Sequence, residues 1–145
     1  MTDPDTRTTD DERNSLSDTI TFFAYGTLRK GERLHEWIES EIVEDHGKAY
    51  LKYARLHFST SHRAYPYLVV TDSPSDVTTG ELFTLRLSQQ TLDMLSMEQG
   101  AGYKIVEMTA ELDGAEVPTV VCEWPNPYGE QVPENDWLSR ADVLA

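Results

Sequence analysis

The sequence predicts an α+β protein, a small mixed β-barrel with two main helices. Several short apolar runs are rich in β-branched and aromatic residues, which is typical of strands. Two other segments carry apolar residues at helical spacing. Most strands are separated by short links, such as the hairpin-type turn at Asp113-Gly114. At 145 residues, the chain is long enough for one domain with a hydrophobic core.

The N-terminal segment differs in composition from the rest of the chain. Residues 1–18 are mostly Thr, Asp, Arg and Ser, with almost no apolar side chains to bury. We therefore expect a disordered acidic arm over residues 1–18 and one folded domain over residues 19–145. The first strand is predicted near Thr19–Tyr25, where three aromatic side chains favour extended backbone.

This strand runs into Tyr25, Gly26, Thr27 and Leu28, which are predicted to form a tight turn. Gly26 is expected to adopt backbone angles that a side chain would forbid. Consecutive backbone N–H groups in such a turn point into one small space, which suits an anionic group such as a carboxylate. The commoner alternative is a plain glycine turn at a strand end. This segment alone does not decide between the two.

The centre of the chain is predicted to contain one helix and three strands. The helix is expected over Gly31–Glu44, where apolar residues recur on one side. Strands are expected at Lys48–Phe58, Tyr65–Thr71 and Gly80–Leu87, where apolar residues alternate or form short runs.

A second helix is predicted after Ser88, which suits the N-cap position. Leucines and methionines give this helix an apolar side, and Glu98 falls in its last turn before two glycines. A carboxylate there meets the negative end of the helix dipole, and burial beside Met94 and Met97 would desolvate it. Both effects raise its pKa toward the range of a general base. The alternative is a solvated glutamate at a frayed helix end.

The last part of the chain is predicted to form a hairpin and an irregular tail. Strands are expected at Tyr103–Leu112 and Val117–Trp124. The residues from Pro125 onward include three prolines and many polar side chains, so we expect them to be irregular and loosely packed.

Composition excludes several classes of partner. The net charge is −14, with 26 acidic and 12 basic residues, whereas a nucleic-acid surface needs clustered Lys and Arg. No apolar run approaches membrane-spanning length, and the first residues lack a signal-peptide pattern, so no membrane association is expected. The single cysteine, Cys122, excludes an internal disulfide and fits a reducing compartment. We therefore expect a cytoplasmic protein, in which Cys122 is a small buried hydrophobe.

No cofactor or metal is predicted. Gly26 and Gly31 have the spacing of a phosphate loop, but Glu32 and Arg33 replace its Lys-Ser/Thr. The four histidines lack zinc-type spacing, and a Gly-x-Ser-x-Gly nucleophile elbow does not occur.

Taken together and in this order, the motifs resemble the gamma-glutamylcyclotransferase-like (AIG2-like) family, from about Thr21 to about Trp124. The Tyr25-Gly26-Thr27-Leu28 turn is similar to the family's Tyr-Gly-Ser/Thr-Leu signature. Glu98 falls where the family carries its catalytic glutamate, and Tyr103 matches an aromatic position shortly after it. Three further segments resemble family motifs, namely Ala64–Val69, Thr79–Leu85 and Val121–Trp124.

The resemblance implies the barrel fold and an activity on a small-molecule γ-glutamyl substrate. Glu98 would act as general acid/base in an intramolecular aminolysis that releases 5-oxoproline from a γ-glutamyl amine or amino acid. The turn from Tyr25 through Gly26 and Thr27 to Leu28 would bind the substrate carboxylate or the developing oxyanion. Tyr25 and Tyr103 would line the pocket, although an ordinary core role fits them equally well.

Departures from the family pattern leave alternatives open. Leu95 stands where the family usually has Asp, Gly100 comes two residues after Glu98, and Lys104 replaces a common arginine. One alternative is a non-catalytic small-molecule-binding or regulatory module on the same fold, although retention of Glu98 together with the turn favours an enzyme. Another is an enzyme specific for γ-glutamylamines. The leaving amine and the oligomeric state are not determined by the sequence.

Overall fold

The computed structural model describes residues 18–32, 34–59, 62–125 and 130–137. The predicted N-terminal arm, apart from Asp18, lies outside these residues. The helices and strands follow one another in this order: β1 (Thr19–Ala24), α1 (Glu36–Glu39), β2 (Ile42–Lys52), β3 (Ala54–Ser59), β4 (His62–Val70), β5 (Val77–Arg86), α2 (Gln89–Gly100), β6 (Lys104–Leu112), β7 (Ala115–Glu123) and β8 (Glu130–Gln131).

Five of these strands form a closed barrel in the order β1-β5-β2-β6-β7. Neighbouring strands are antiparallel except β1 and β7, which pair in parallel with Phe22 opposite Val120. The hairpin between β6 and β7 turns at Asp113 and Gly114, whose φ angles are +51° and +83°. Positive φ at both positions matches the hairpin turn expected there. The predicted α+β mixed barrel is confirmed.

The other three strands form a separate sheet in the order β4-β3-β8. The chain passes from the barrel to this sheet at Tyr53, which has a φ of +63°. Backbone hydrogen bonds hold this crossing, because the Thr71 N–H donates to the Tyr53 carbonyl at 2.8 Å and the Ala54 N–H donates to the Asp76 carbonyl at 3.1 Å. The single strand predicted over Lys48–Phe58 is therefore wrong, since this residue divides it between two sheets.

The helix predicted over Gly31–Glu44 is also wrong in extent, because only Glu36–Glu39 is helical. Gly31 has a φ of +86°, which interrupts any helix at that point. From Ile42 the chain instead pairs with β5, with Leu85 opposite Ile42. The predicted helix therefore overlaps β2 at Ile42–Glu44, where the first register shift of this strand occurs.

The described end of the chain packs on the core and is not loose. Val132 and Trp137 are each 1% exposed, and the Val132 N–H donates to the Leu56 carbonyl at 2.7 Å. The tail predicted to be loosely packed is thus an integral part of the fold over residues 130–137. The reason is apolar burial, since a tryptophan side chain removes a large area from water.

A buried arginine connects this segment to the turn after β1. Arg29 is 1% exposed, and its Nε donates to Glu81 Oε2 at 3.1 Å while Nη1 donates to Asp136 Oδ1 at 2.7 Å. Glu81 Oε1 also accepts from the Lys30 N–H at 2.8 Å. The guanidinium therefore fixes the turn to both β5 and the C-terminal segment.

We expect Arg29→Met to lower the free energy of unfolding by roughly 3 kcal/mol, because it removes the cation shared by two partly buried carboxylates. Lys30→Met is the matched control. The side chain of Lys30 is 70% exposed and pairs with Asp45 at 2.9 Å in solvent, so its loss should cost far less than the loss of Arg29. Urea unfolding of both variants measures the difference. Equal effects would contradict a structural role for Arg29.

None of the described helices has the length and apolar character needed to cross a bilayer, the longer one having 12 residues.

Candidate active site

A cavity of about 330 Å³ lies where β1 ends, and the last turn of α2 forms part of its wall. It is lined by all of the residues predicted from the sequence to form the site, namely Tyr25, Gly26, Thr27, Leu28, Glu98 and Tyr103. The structure therefore brings these residues together, although their roles in binding and catalysis stay predictions.

The turn after β1 lines this cavity, and its backbone N–H groups have few partners among the described residues. The Arg29 N–H donates to the Gly26 carbonyl at 3.0 Å, which closes the turn, and the Leu34 N–H donates to the Thr27 carbonyl at 3.0 Å. Among the described residues, no acceptor is hydrogen-bonded to the N–H groups of Gly26, Thr27 or Leu28. Three consecutive donors of this kind beside a cavity are suited to an anionic group.

Gly26 is required for a different reason from the one expected. The positive φ predicted for it is wrong, because the described glycines with positive φ are Gly31, Gly47, Gly102 and Gly114. A Cβ atom at Gly26 would instead lie 2.3 Å from Pro66 Cγ and 2.9 Å from Cδ. The missing side chain allows β4 to approach the turn closely, which shapes the cavity from both sides.

Glu98 occupies the last turn of α2, as predicted, and is half-buried. Burial raises the pKa of its carboxyl above the ordinary glutamate range. The helix was correctly placed, and the Ser88 side chain accepts from the Thr91 N–H at its N-cap. Met94 is buried, but Met97 is 53% exposed and shields Glu98 only in part.

The helix ends at the two glycines that follow Glu98, as expected. Gly100 is still helical, whereas Gly102 has a φ of +114°. A Cβ atom at Gly102 would lie 2.9 Å from the ring of Trp124, so this glycine also allows an aromatic side chain to pack against the helix end. The Tyr103 N–H donates to the Glu98 carbonyl at 3.0 Å, which fixes the backbone around the candidate base.

The two tyrosines both line the cavity and hold its walls. The Tyr25 hydroxyl donates to the Cys122 carbonyl at 2.6 Å, and the Tyr103 hydroxyl donates to the Pro66 carbonyl at 2.6 Å. Burial raises the pKa of Tyr25 well above its ordinary value, and the nearby Tyr103, Cys122 and Glu98 raise it further. Tyr25 is therefore a neutral hydroxyl at neutral pH.

Cys122 behaves as the sequence indicates. It is 2% exposed, and burial raises the pKa of its thiol, with a further contribution from the Glu98 charge. It is therefore a protonated thiol in the cavity wall, which suits packing and does not suit a nucleophile.

Several residues that line the cavity were not predicted to belong to the site. Trp124 packs against Tyr67 at a centroid distance of 4.9 Å and edge-on against Tyr103 at 5.1 Å. Pro66, Tyr67 and Trp124 do occur in the sequence segments that resemble family motifs, so that signal pointed to them. Leu34, Trp37 and Met97 also line the cavity. Only helical spacing distinguished Leu34 and Trp37 in the sequence, whereas Met97 was expected to lie beside Glu98.

No group of three or more metal-ligating side chains is found within the described part of the chain.

Comparison with known proteins agrees with this architecture. A family model described as gamma-glutamyl cyclotransferase, AIG2-like, matches residues 22–139. The chain belongs to this family. Among proteins with curated descriptions, none matches it significantly.

Several solved structures share the fold. The uncharacterised protein PH0828 from Pyrococcus horikoshii has a TM-score of 0.65 at 22% identity, covering 86% of this chain and 93% of its own. An AIG2-like protein from Mus musculus has a TM-score of 0.58 at 22% identity, with 78% and 87% covered. A protein described as gamma-glutamyl cyclotransferase has a TM-score of 0.59 at 20% identity, with 81% and 73% covered.

Proposed function

We propose that this protein is a gamma-glutamylcyclotransferase-like enzyme that releases 5-oxoproline from a γ-glutamyl amine or amino acid. The proposal depends on one observation, which is that a carboxylate and a row of backbone N–H groups line the same cavity. The carboxylate is that of Glu98, which is half-buried, and its burial raises its pKa. The row consists of the N–H groups from Gly26 to Leu28, which have no acceptor among the described residues.

In this proposal the turn binds the α-carboxylate of the γ-glutamyl group or the oxyanion that develops at its γ-carbonyl. Preorganised N–H donors in a mostly apolar cavity stabilise negative charge without reorganisation during the reaction. Binding also folds the substrate so that its α-amine approaches its own γ-carbonyl carbon. Nucleophile and electrophile belong to one molecule, so much of the acceleration comes from holding this conformation.

Glu98 acts as the general base and then as the general acid of the proposed reaction. The ionised carboxylate accepts a proton from the α-ammonium, and the freed amine attacks the γ-carbonyl carbon to form the ring C–N bond. The bond from that carbon to the leaving nitrogen then breaks. The ring nitrogen keeps one of the three ammonium protons, and the other two end on the departing amine, which leaves as an ammonium ion. Glu98 is ionised again at the end of the cycle.

The pH dependence follows from the burial of Glu98. The base must be ionised, and burial raises its pKa, so kcat/KM should fall as the pH drops through a value above the ordinary glutamate pKa of about 4.3. Initial rates over a pH series, with the melting temperature recorded at each pH, separate this effect from acid unfolding. An acidic limb at or below the ordinary value would contradict the assignment.

The proposal is tested by incubating the purified protein with a panel of γ-glutamyl amines and γ-glutamyl amino acids. Chromatographic quantification should detect 5-oxoproline and the free amine in equal amounts from at least one conjugate. Binding of conjugates without release would instead support a non-catalytic module on the same fold.

A further inference from the structure

We propose that Leu34, Trp37 and Met97 form an apolar subsite for the leaving group, which selects γ-glutamyl conjugates of uncharged aromatic or aliphatic amines. This inference rests on the proposed function, because it concerns the part of the same cavity that the γ-glutamyl unit does not occupy.

The first support is the chemistry of the cavity wall. Leu34 and Trp37 are half-buried and Met97 is 53% exposed, so the three present apolar surface at the margin of the cavity. Among the described residues that line the cavity, Glu98 is the only Asp, Glu, Lys, Arg or His. The leaving group therefore meets apolar side chains and no Lys or Arg among these lining residues.

The second support is the position of these side chains. Trp37 and Met97 also line a second cavity of about 260 Å³, together with Gln90, Asp93 and Met94. They therefore separate the candidate active site from the groove between α1 and α2. Gln90 Nε2 donates to the Trp37 carbonyl at 2.8 Å, which ties α1 to α2 and fixes this wall.

The γ-glutamyl unit uses the turn and Glu98, so the leaving nitrogen and its substituent extend toward the remaining wall. A carboxylate on that substituent, as in a γ-glutamyl amino acid, would exchange part of its hydration for apolar contact, with no cation among the described lining residues to pair with. A distal ammonium would also exchange part of its hydration for apolar contact. An alkyl or aromatic substituent instead gains from leaving water, and tryptophan offers it a large flat contact.

Two matched substrate pairs test the inference through kcat/KM for 5-oxoproline release. γ-Glutamylphenethylamine and γ-glutamylphenylalanine differ by one carboxylate, and γ-glutamylbutylamine and mono-γ-glutamylputrescine differ by one ammonium group. The uncharged member of each pair should be favoured by at least about tenfold. Preference for the charged member of either pair would overturn the subsite while leaving the proposed function intact.

Variants identify the residues responsible. Trp37→Ala and Met97→Ala should each reduce the ratio of kcat/KM for γ-glutamylphenethylamine over γ-glutamylmethylamine by about tenfold. Met97 is half-exposed, so its variant keeps the test valid if Trp37→Ala does not fold. Val43→Ala is the control, since Val43 is 51% exposed on β2 and does not line the cavity.

The outcomes separate the two proposals. An unchanged ratio in the folded variants would overturn the assignment of the subsite. Release of 5-oxoproline from none of the conjugates would overturn the proposed function, and the subsite with it.

Discussion

Glu98→Gln is expected to lower kcat for 5-oxoproline release by at least about a hundredfold while leaving the barrel folded. Glutamine has nearly the same shape as glutamate, but its amide cannot accept the proton of the α-ammonium. The position is half-buried, so a neutral side chain of this size fits without strain. Single-turnover kinetics with saturating substrate measure the loss directly.

The same substitution, Glu98→Gln, should not lower the stability of the fold, although it lowers the activity. Burial places the pKa of Glu98 higher in the folded than in the unfolded state, so the folded protein binds this proton more tightly. The resulting stabilisation is present below the ordinary pKa and is lost as the pH rises through the raised one. Glu98→Gln removes that loss, so its melting temperature at neutral pH should equal or exceed that of the wild type.

Glu107→Gln is the matched control, because Glu107 is exposed on β6 outside the cavity. It should change neither turnover nor melting temperature. Unchanged turnover in Glu98→Gln would contradict the assignment of this residue as general acid/base.

Gly26→Ala is expected to lower kcat/KM by about a hundredfold, and Gly26→Val by more. The new Cβ atom would lie 2.3 Å from Pro66 Cγ, and the proline ring is too rigid to move aside by rotation. The turn and β4 must therefore separate, which displaces the N–H groups proposed to bind the substrate. Misplacement of catalytic groups by about 1 Å can cost this much.

Two further variants serve as controls for the Gly26 substitutions. At Gly100 a Cβ atom would meet nothing within 4 Å, so Gly100→Ala should be neutral or stabilise the fold by about 0.4–1 kcal/mol. Thr27→Ser retains the hydroxyl and should have a mild effect. Inactive Thr27→Ser together with active Gly26 variants would point to side-chain chemistry at Thr27 and contradict a backbone binding site.

The features that could be predicted from the sequence are those with local causes. The N-cap at Ser88 and the turn at Asp113-Gly114 depend on residues within a few positions, and both were correct. The helix over Gly31–Glu44 was not, because strand pairing with β5 overrides helical spacing from Ile42 onward. Nothing in the local pattern distinguishes a helix from a strand with register shifts.

The contacts that shape the candidate site join distant parts of the chain. Gly26 is needed because Pro66 approaches it, and the local sequence gives no sign of that approach. The same is true of Arg29, whose partners Glu81 and Asp136 lie far away in the sequence. Sequence motifs could therefore select residues that line one cavity, whereas the reasons for their positions depend on the tertiary structure.

In the proposed reaction the substrate's own amine, and not water, attacks the γ-carbonyl. The most direct measurement is the reaction of a γ-glutamyl amine in heavy-oxygen water, followed by mass spectrometry of both products. Ring closure predicts 5-oxoproline and amine in equal amounts, with no heavy oxygen incorporated by the enzyme. Release of glutamate carrying heavy oxygen would show hydrolysis and contradict the account.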